Sequence, residues 1–85
     1  MKTLNEIYQE NEDKNNHIEN ARLVVMCFGT KKELEVIERV IERKNPNSAY
    51  SSGIYNTIIK TALNYESQRL EQGDSITIVD GQIIQ

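Results

Sequence analysis

A chain of 85 residues with 38% hydrophobic and 27% charged composition has one domain as its ceiling and little apolar surface to bury. A formal charge of −3 and a pI near 5.1 exclude a uniformly basic nucleic-acid binder. The single cysteine excludes an intrachain disulfide and a multi-cysteine zinc site, and no apolar span is long enough for a membrane.

Residues 1–20 are rich in Asn and Glu with few apolar anchors, which predicts a flexible acidic arm with at most a weak helical turn at Leu4 to Gln9. No apolar core follows the basic start, so no signal peptide is expected and the expected location is the cytoplasm. Leu23-Val24-Val25-Met26-Cys27-Phe28 is an unbroken apolar run closed by Gly29, and its length predicts a strand. Thr30-Lys31-Lys32-Glu33 has the spacing of a capping box, which starts a helix at Thr30. Leu34, Val36, Ile37, Val40 and Ile41 form its apolar stripe, and Lys44, Asn45 and Pro46 end it, with Asn45 as a left-handed cap. After the turn-forming residues 47–53, a second helix carries Ile54, Ile58, Ile59, Ala62, Leu63 and Leu70 and stops at Gly73. Ser51, Ser52 and Asn56 compete as its cap. Ser75 to Val79, Asp80-Gly81, then Gln82 to Gln85 is the pattern of a β-hairpin with a type I′ turn.

A lone strand needs a partner strand, and none lies nearby in sequence. Two chains that pair their strands answer that need, so an obligate homodimer is expected. The strand, the Thr30-Lys31-Lys32-Glu33-Leu34 helix start and Asn56-Thr57-Ile58-Ile59-Lys60-Thr61-Ala62-Leu63 together resemble the ribbon-helix-helix family of small bacterial, plasmid and phage regulators, over roughly residues 22–67. The fold expected from this resemblance is mostly α with a short β ribbon, in a homodimer, followed by a C-terminal hairpin. Its divisions are an arm at 1–20, the dimerisation and DNA-binding domain at 21–72, and a hairpin or tail at 73–85.

The resemblance implies double-stranded DNA as partner, with the ribbon in the major groove; whether dimers assemble further along the DNA is left open by the sequence. With Thr30 as cap, Arg22, Val24, Met26 and Phe28 face the groove, while Leu23, Val25 and Cys27 form the dimer core. Lys31 and Lys32 lie near a phosphate path, and the start of the second helix at Ser51 and Ser52 holds a phosphate. The charge pattern agrees in part. Residues 22–60 hold seven basic against four acidic residues, for +3, while residues 1–21 and 61–85 each carry −3.

No Gly-rich phosphate loop and no nucleophile with a base is present, so no enzyme and no cofactor is expected. His17 has no second His or Cys to share a metal, Glu38 and Glu42 read as a solvated face, Cys27 as a small buried hydrophobe, and Tyr50, Tyr55 and Tyr65 as packing residues. The function implied is a sequence-specific DNA-binding transcriptional regulator, a repressor in the first instance. The alternatives are a relaxosome or partition accessory protein, an antitoxin, and a protein-interaction dimer that binds no DNA. The last is kept open by the scarcity of polar side chains on the groove face of the strand.

Overall fold

The computed structural model describes residues 1–45 and 47–84. Pro46, expected to stop a helix, and Gln85, the last residue of the expected hairpin, lie outside them. In chain order the elements are β1 (Lys2–Thr3), α1 (Leu4–Asp13), α2 (His17–Phe28), α3 (Lys31–Arg43), α4 (Ser52–Leu63), α5 (Glu66–Gln72), β2 (Thr77–Val79) and β3 (Gln82–Ile84).

The ribbon-helix-helix expectation fails at its first element, because Leu23 to Phe28 is the C-terminal half of α2 and not a strand. A short unbroken apolar run fits either a strand buried on both faces or a helix buried on all sides, and periodicity cannot separate them. Here Leu23 packs against Leu4 and Ile78 on one side of α2, while Val24 and Val25 join Ala21, Ile37, Ile58 and Ala62 on the other. A helix enclosed in this way is apolar around most of its circumference. Because a helix satisfies its own backbone, the unpaired strand behind the homodimer expectation does not exist, and Leu23 and Val25 are covered within one chain.

The first 20 residues, expected as a mobile arm, build β1, α1 and the start of α2. Thr3 caps α1 through a capping box with Glu6, the same device that Thr30 and Glu33 provide for α3. Leu4, Ile7 and Tyr8 share one helical face and all pack inward. Between α1 and α2 the chain reverses through Asn15 in left-handed backbone, φ 56°. The buried side chain of Asn20 then ties the two helices together. It accepts from Asn11 at 3.0 Å and donates to the Tyr8 carbonyl at 3.0 Å, which offsets the cost of its burial.

Gly29 separates α2 from α3 and approaches the preceding turn closely. A Cβ there would lie 2.8 Å from Val25 Cγ1 and 2.9 Å from the Val25 carbonyl oxygen. Gly29→Ala is therefore expected to destabilise by about 1–3 kcal/mol through overpacking, read as a lowered Tm. An unchanged Tm would mean that this junction relaxes freely.

α3 begins at Thr30 as expected, with Thr30 Oγ1 accepting from the Glu33 N–H at 3.1 Å. It ends on Lys44 as its cap, one residue before the Asn45 expected in that role. α4 starts at Ser51, whose Oγ accepts from the Ile54 N–H at 3.4 Å. The second helix does not run unbroken to Gly73. It breaks at Asn64–Tyr65, where Tyr65 turns to Glu33, and α5 sets off so that Arg69 stacks over the Tyr8 ring at 3.8 Å.

The C-terminal hairpin forms as its sequence predicts. Asp80 and Gly81 both adopt positive φ, 53° and 77°, as a type I′ turn requires. β2 pairs antiparallel with β3, Ile78 opposite Ile83, and on its other edge with β1, Lys2 opposite Ile78. The resulting sheet, in the order β1-β2-β3, covers the Leu23 side of α2. Both flanks assigned to an arm and a tail thus meet in one sheet.

Candidate interaction groove

α3 and α4 each pack on α2 more than on each other. A trough is left between them. Its first part, about 270 Å³, is lined by Thr30, Lys32, Glu33, Val36 and Ile37 from α3 and by Thr57, Ile58 and Thr61 from α4. A further cleft on the same seam, about 350 Å³, is lined by Val40 and Arg43 from α3 and by Ser51 and Ile54 at the start of α4. The start of α3 therefore faces the end of α4 and the reverse, so the two helices run antiparallel along one groove.

Helical spacing places the walls. Ile54, Thr57, Ile58 and Thr61 follow one another by three, one and three residues, which is a single face of α4. Lys32, Val36, Val40 and Arg43 make the opposing face of α3. Ile37 and Ile58 are buried and form the floor, whereas Val36 is 50% and Ile54 45% exposed. The two threonine hydroxyls are used within α4, Thr57 donating to the Gly53 carbonyl at 2.8 Å and Thr61 to that of Thr57 at 2.9 Å. Between the charged ends at Lys32 and Arg43 the walls consequently offer mainly carbon.

Both ends of the groove are held. At the Thr30 end the Tyr65 hydroxyl donates to Glu33 Oε1 at 2.5 Å. That bond, aided by those from Thr30, holds the Glu33 carboxyl below the ordinary range. At the other end Lys44 sits over the Tyr50 ring at 4.1 Å and closes the connection to α4.

The residues expected to touch DNA do not assemble into one surface. Arg22, half-buried on α2, is paired with Glu19 at 2.7 Å and lies 3.9 Å from Glu38. Val24 is 1% exposed in the core, and Met26 and Phe28 are partly buried against the apolar clusters. Lys31 and Lys32 are exposed in the first turn of α3, Ser51 is the α4 cap and Ser52 its first residue. Only Lys32 and Ser51 line the groove, at opposite ends. Cys27 is half-buried, and burial pushes its thiol up to about 11, so it stays protonated at neutral pH.

A second cleft of about 340 Å³ lies between α1, α2 and α4, with Tyr8, Glu12, His17, Asn20, Tyr55 and Glu66 on its walls. His17 Nδ1 is 3.4 Å from Glu12 there, a contact the sequence did not single out. Two polar groups of this cleft are engaged elsewhere: Asn20 joins α1 to α2, and Glu66 pairs with Arg69 outside it. Neither Ser, Thr nor Cys lines it, so the His17–Glu12 pair has no nucleophile to activate.

The groove itself left one trace in the sequence. The stripe from Leu34 to Ile41 spans more of the α3 circumference than a single packing contact uses, and Val36 lies at its outer edge. Among the described residues no group of three or more His, Cys, Asp or Glu could hold a metal ion, and no helix is long and apolar enough to cross a membrane. No family model, no curated protein and no solved structure matches the chain.

Proposed function

We propose that this chain is a non-catalytic interaction module that holds an amphipathic segment of another protein in the groove between α3 and α4. One observation carries the reading: two clefts lie along the α3–α4 seam, each with a large apolar side chain about half exposed in its wall, Val36 beside the buried Ile37 and Ile58 in the first and Ile54 beside Val40 in the second. Elongated apolar grooves between helices accept a third helix through anchors at helical spacing. Val36→Asp is expected to lower affinity for an amphipathic helical peptide roughly a hundredfold, as loss of a central anchor does, while changing stability by less than about 1 kcal/mol. Peptide titration by fluorescence anisotropy, with circular dichroism as the fold control, checks both. Unchanged affinity in a folded Val36→Asp chain would remove the groove as the site.

A second reading keeps double-stranded DNA as the partner. Lys31, Lys32, Arg39, Arg43 and Lys60 are exposed on α3 and α4, and none of them makes an ion pair among the described residues. Such cations contact phosphates without reading sequence. A sequence-specific regulator would need base contacts from elsewhere, because Val24 is in the core. Titration with duplex DNA at two salt concentrations distinguishes the readings: affinity that falls steeply with salt and ignores Val36→Asp favours DNA.

A further inference from the structure

Resting on the docking reading above, we infer that the partner segment is an acidic amphipathic helix, its apolar stripe laid along the α3–α4 seam past Val36 and Ile54 and its carboxylates set against Lys32 and Arg43, which line the two clefts, and Arg39, which stands between them on α3. The helical form follows from the walls. They are side chains of two helices and present no strand edge, so an extended segment would bring unpaired N–H and C=O groups against carbon. A helix arrives with its backbone already satisfied.

The acidic character follows from the rim. Lys32, Arg39 and Arg43 stand at i, i+7 and i+11 on α3, one line spanning about 17 Å at the usual rise per residue. All three are exposed, and none is paired with a carboxylate among the described residues. The opposite wall adds no negative charge, because α4 contains neither Asp nor Glu. Glu35 and Glu42 flank Arg39 at i−4 and i+3, on the side of the line away from Val36 and Val40, so the cations stand between them and the groove, and Glu33 is engaged by Tyr65 and Thr30. A positive rim on a molecule of net charge −3 is a local reversal of sign, which selects a partner of the opposite charge. A second copy of this chain does not supply it from α1, whose Glu6, Glu10 and Glu12 are engaged by Thr3, Lys2 and His17 and whose apolar residues Leu4 and Ile7 are committed to the chain's own core.

The test uses the full chain and three labelled helical peptides of about 18 residues, long enough to span the groove. They share one leucine stripe and carry Glu, Gln or Lys beside it. The Glu peptide is expected to bind roughly tenfold more tightly than the Gln peptide, the Lys peptide more weakly than either, with the spread shrinking at high salt. Replacing Lys32→Gln, Arg39→Gln and Arg43→Gln together should erase the Glu preference and leave the Gln peptide's affinity unchanged. Equal affinity for Glu and Gln peptides, or a preference that survives the triple replacement, overturns the acidic assignment while the docking reading stands. Binding of none of the three peptides by the folded chain overturns both. Duplex DNA that binds tightly, tolerates Val36→Asp and is lost in the triple variant assigns the cations to phosphate and overturns the inference.

Discussion

Val24→Asp is expected to leave the chain unfolded at 25 °C and neutral pH. Val24 is 1% exposed and sits where α2 meets α3 and α4, among Ala21, Val25, Ile37 and Ile58. Among the described residues Val24 makes no contact with Lys or Arg that would pair a carboxylate in the core, and the one polar cleft it borders already sets His17 against Glu12, so an aspartate there would be buried among aliphatic side chains. The cost of an unpaired buried carboxylate together with the lost packing is about 4 kcal/mol or more. A chain of this size has a total stability of about 4–13 kcal/mol, so at least about a third of it is consumed, and all of it where the stability lies at the lower end. Far-ultraviolet circular dichroism and a urea titration read the result. Acidification should partly restore folding, because the folded state raises the pKa of the buried carboxyl and its neutral form is tolerated better. A folded Val24→Asp with a near-native urea midpoint would place this side chain in solvent, where the strand reading had it, and would invert the phase of α2. Val36→Asp is the companion measurement: the same substitution on the exposed wall of the groove should spare the fold and remove binding.

That contrast between two valines marks how far the sequence could be read. Where a local signal is complete in itself it was legible. Thr30 with Glu33, the α3 stripe, Ser51 as an available cap, and Asp80-Gly81 between two apolar runs each specify backbone geometry within a few residues. The run from Leu23 to Phe28 carries no such signal, because its neighbours in space come from both ends of the chain. Leu4 and Ile78 cover one side of it, and Ile37, Ile58 and Ala62 the other. Reading the run as a strand then imposed a dimer and a DNA-facing surface, each following logically from an element that is absent. A correction was present upstream. From His17 to Phe28 there is neither Gly nor Pro, and Ile18 and Ala21 extend the apolar pattern backwards at helical spacing into a segment dismissed as polar. Thr3 and Glu6 repeat the capping box that was recognised at Thr30 and Glu33, but with apolar residues too few to attract attention. The groove was hidden for a different reason. Its apolar members Val36, Ile37, Val40, Ile54 and Ile58 are all legible as helix-face hydrophobes, and only the packing of α3 and α4 on a shared third helix shows which of them remain uncovered.

Leu4→Ala tests the other consequence of this fold, the incorporation of the N-terminal segment. Leu4 is 0% exposed, packed against Leu23 of α2 and Ile78 of β2. Truncating it deletes three buried carbons and leaves a cavity bounded by a helix and a sheet, two elements that cannot both close on it without losing register. The expected cost is about 2–5 kcal/mol, measured as a fall in the urea midpoint with the slope unchanged. Were residues 1–20 a mobile arm, the same substitution would cost nothing measurable. The effect should also spread in a defined way, because the Leu4 N–H donates to the Ile76 carbonyl at 2.8 Å and that of Asn5 to Gly73 at 3.2 Å, while Thr3 pairs with Thr77. β2 has β3 on one edge and β1 on the other, and an isolated two-stranded hairpin is marginal in water. Loosening Leu4 should therefore lower amide protection along Thr77–Val79 more than along α3, whose packing on α2 lies on the opposite side. Uniform loss of protection at both places would mean instead that the sheet and the helices open as one cooperative unit.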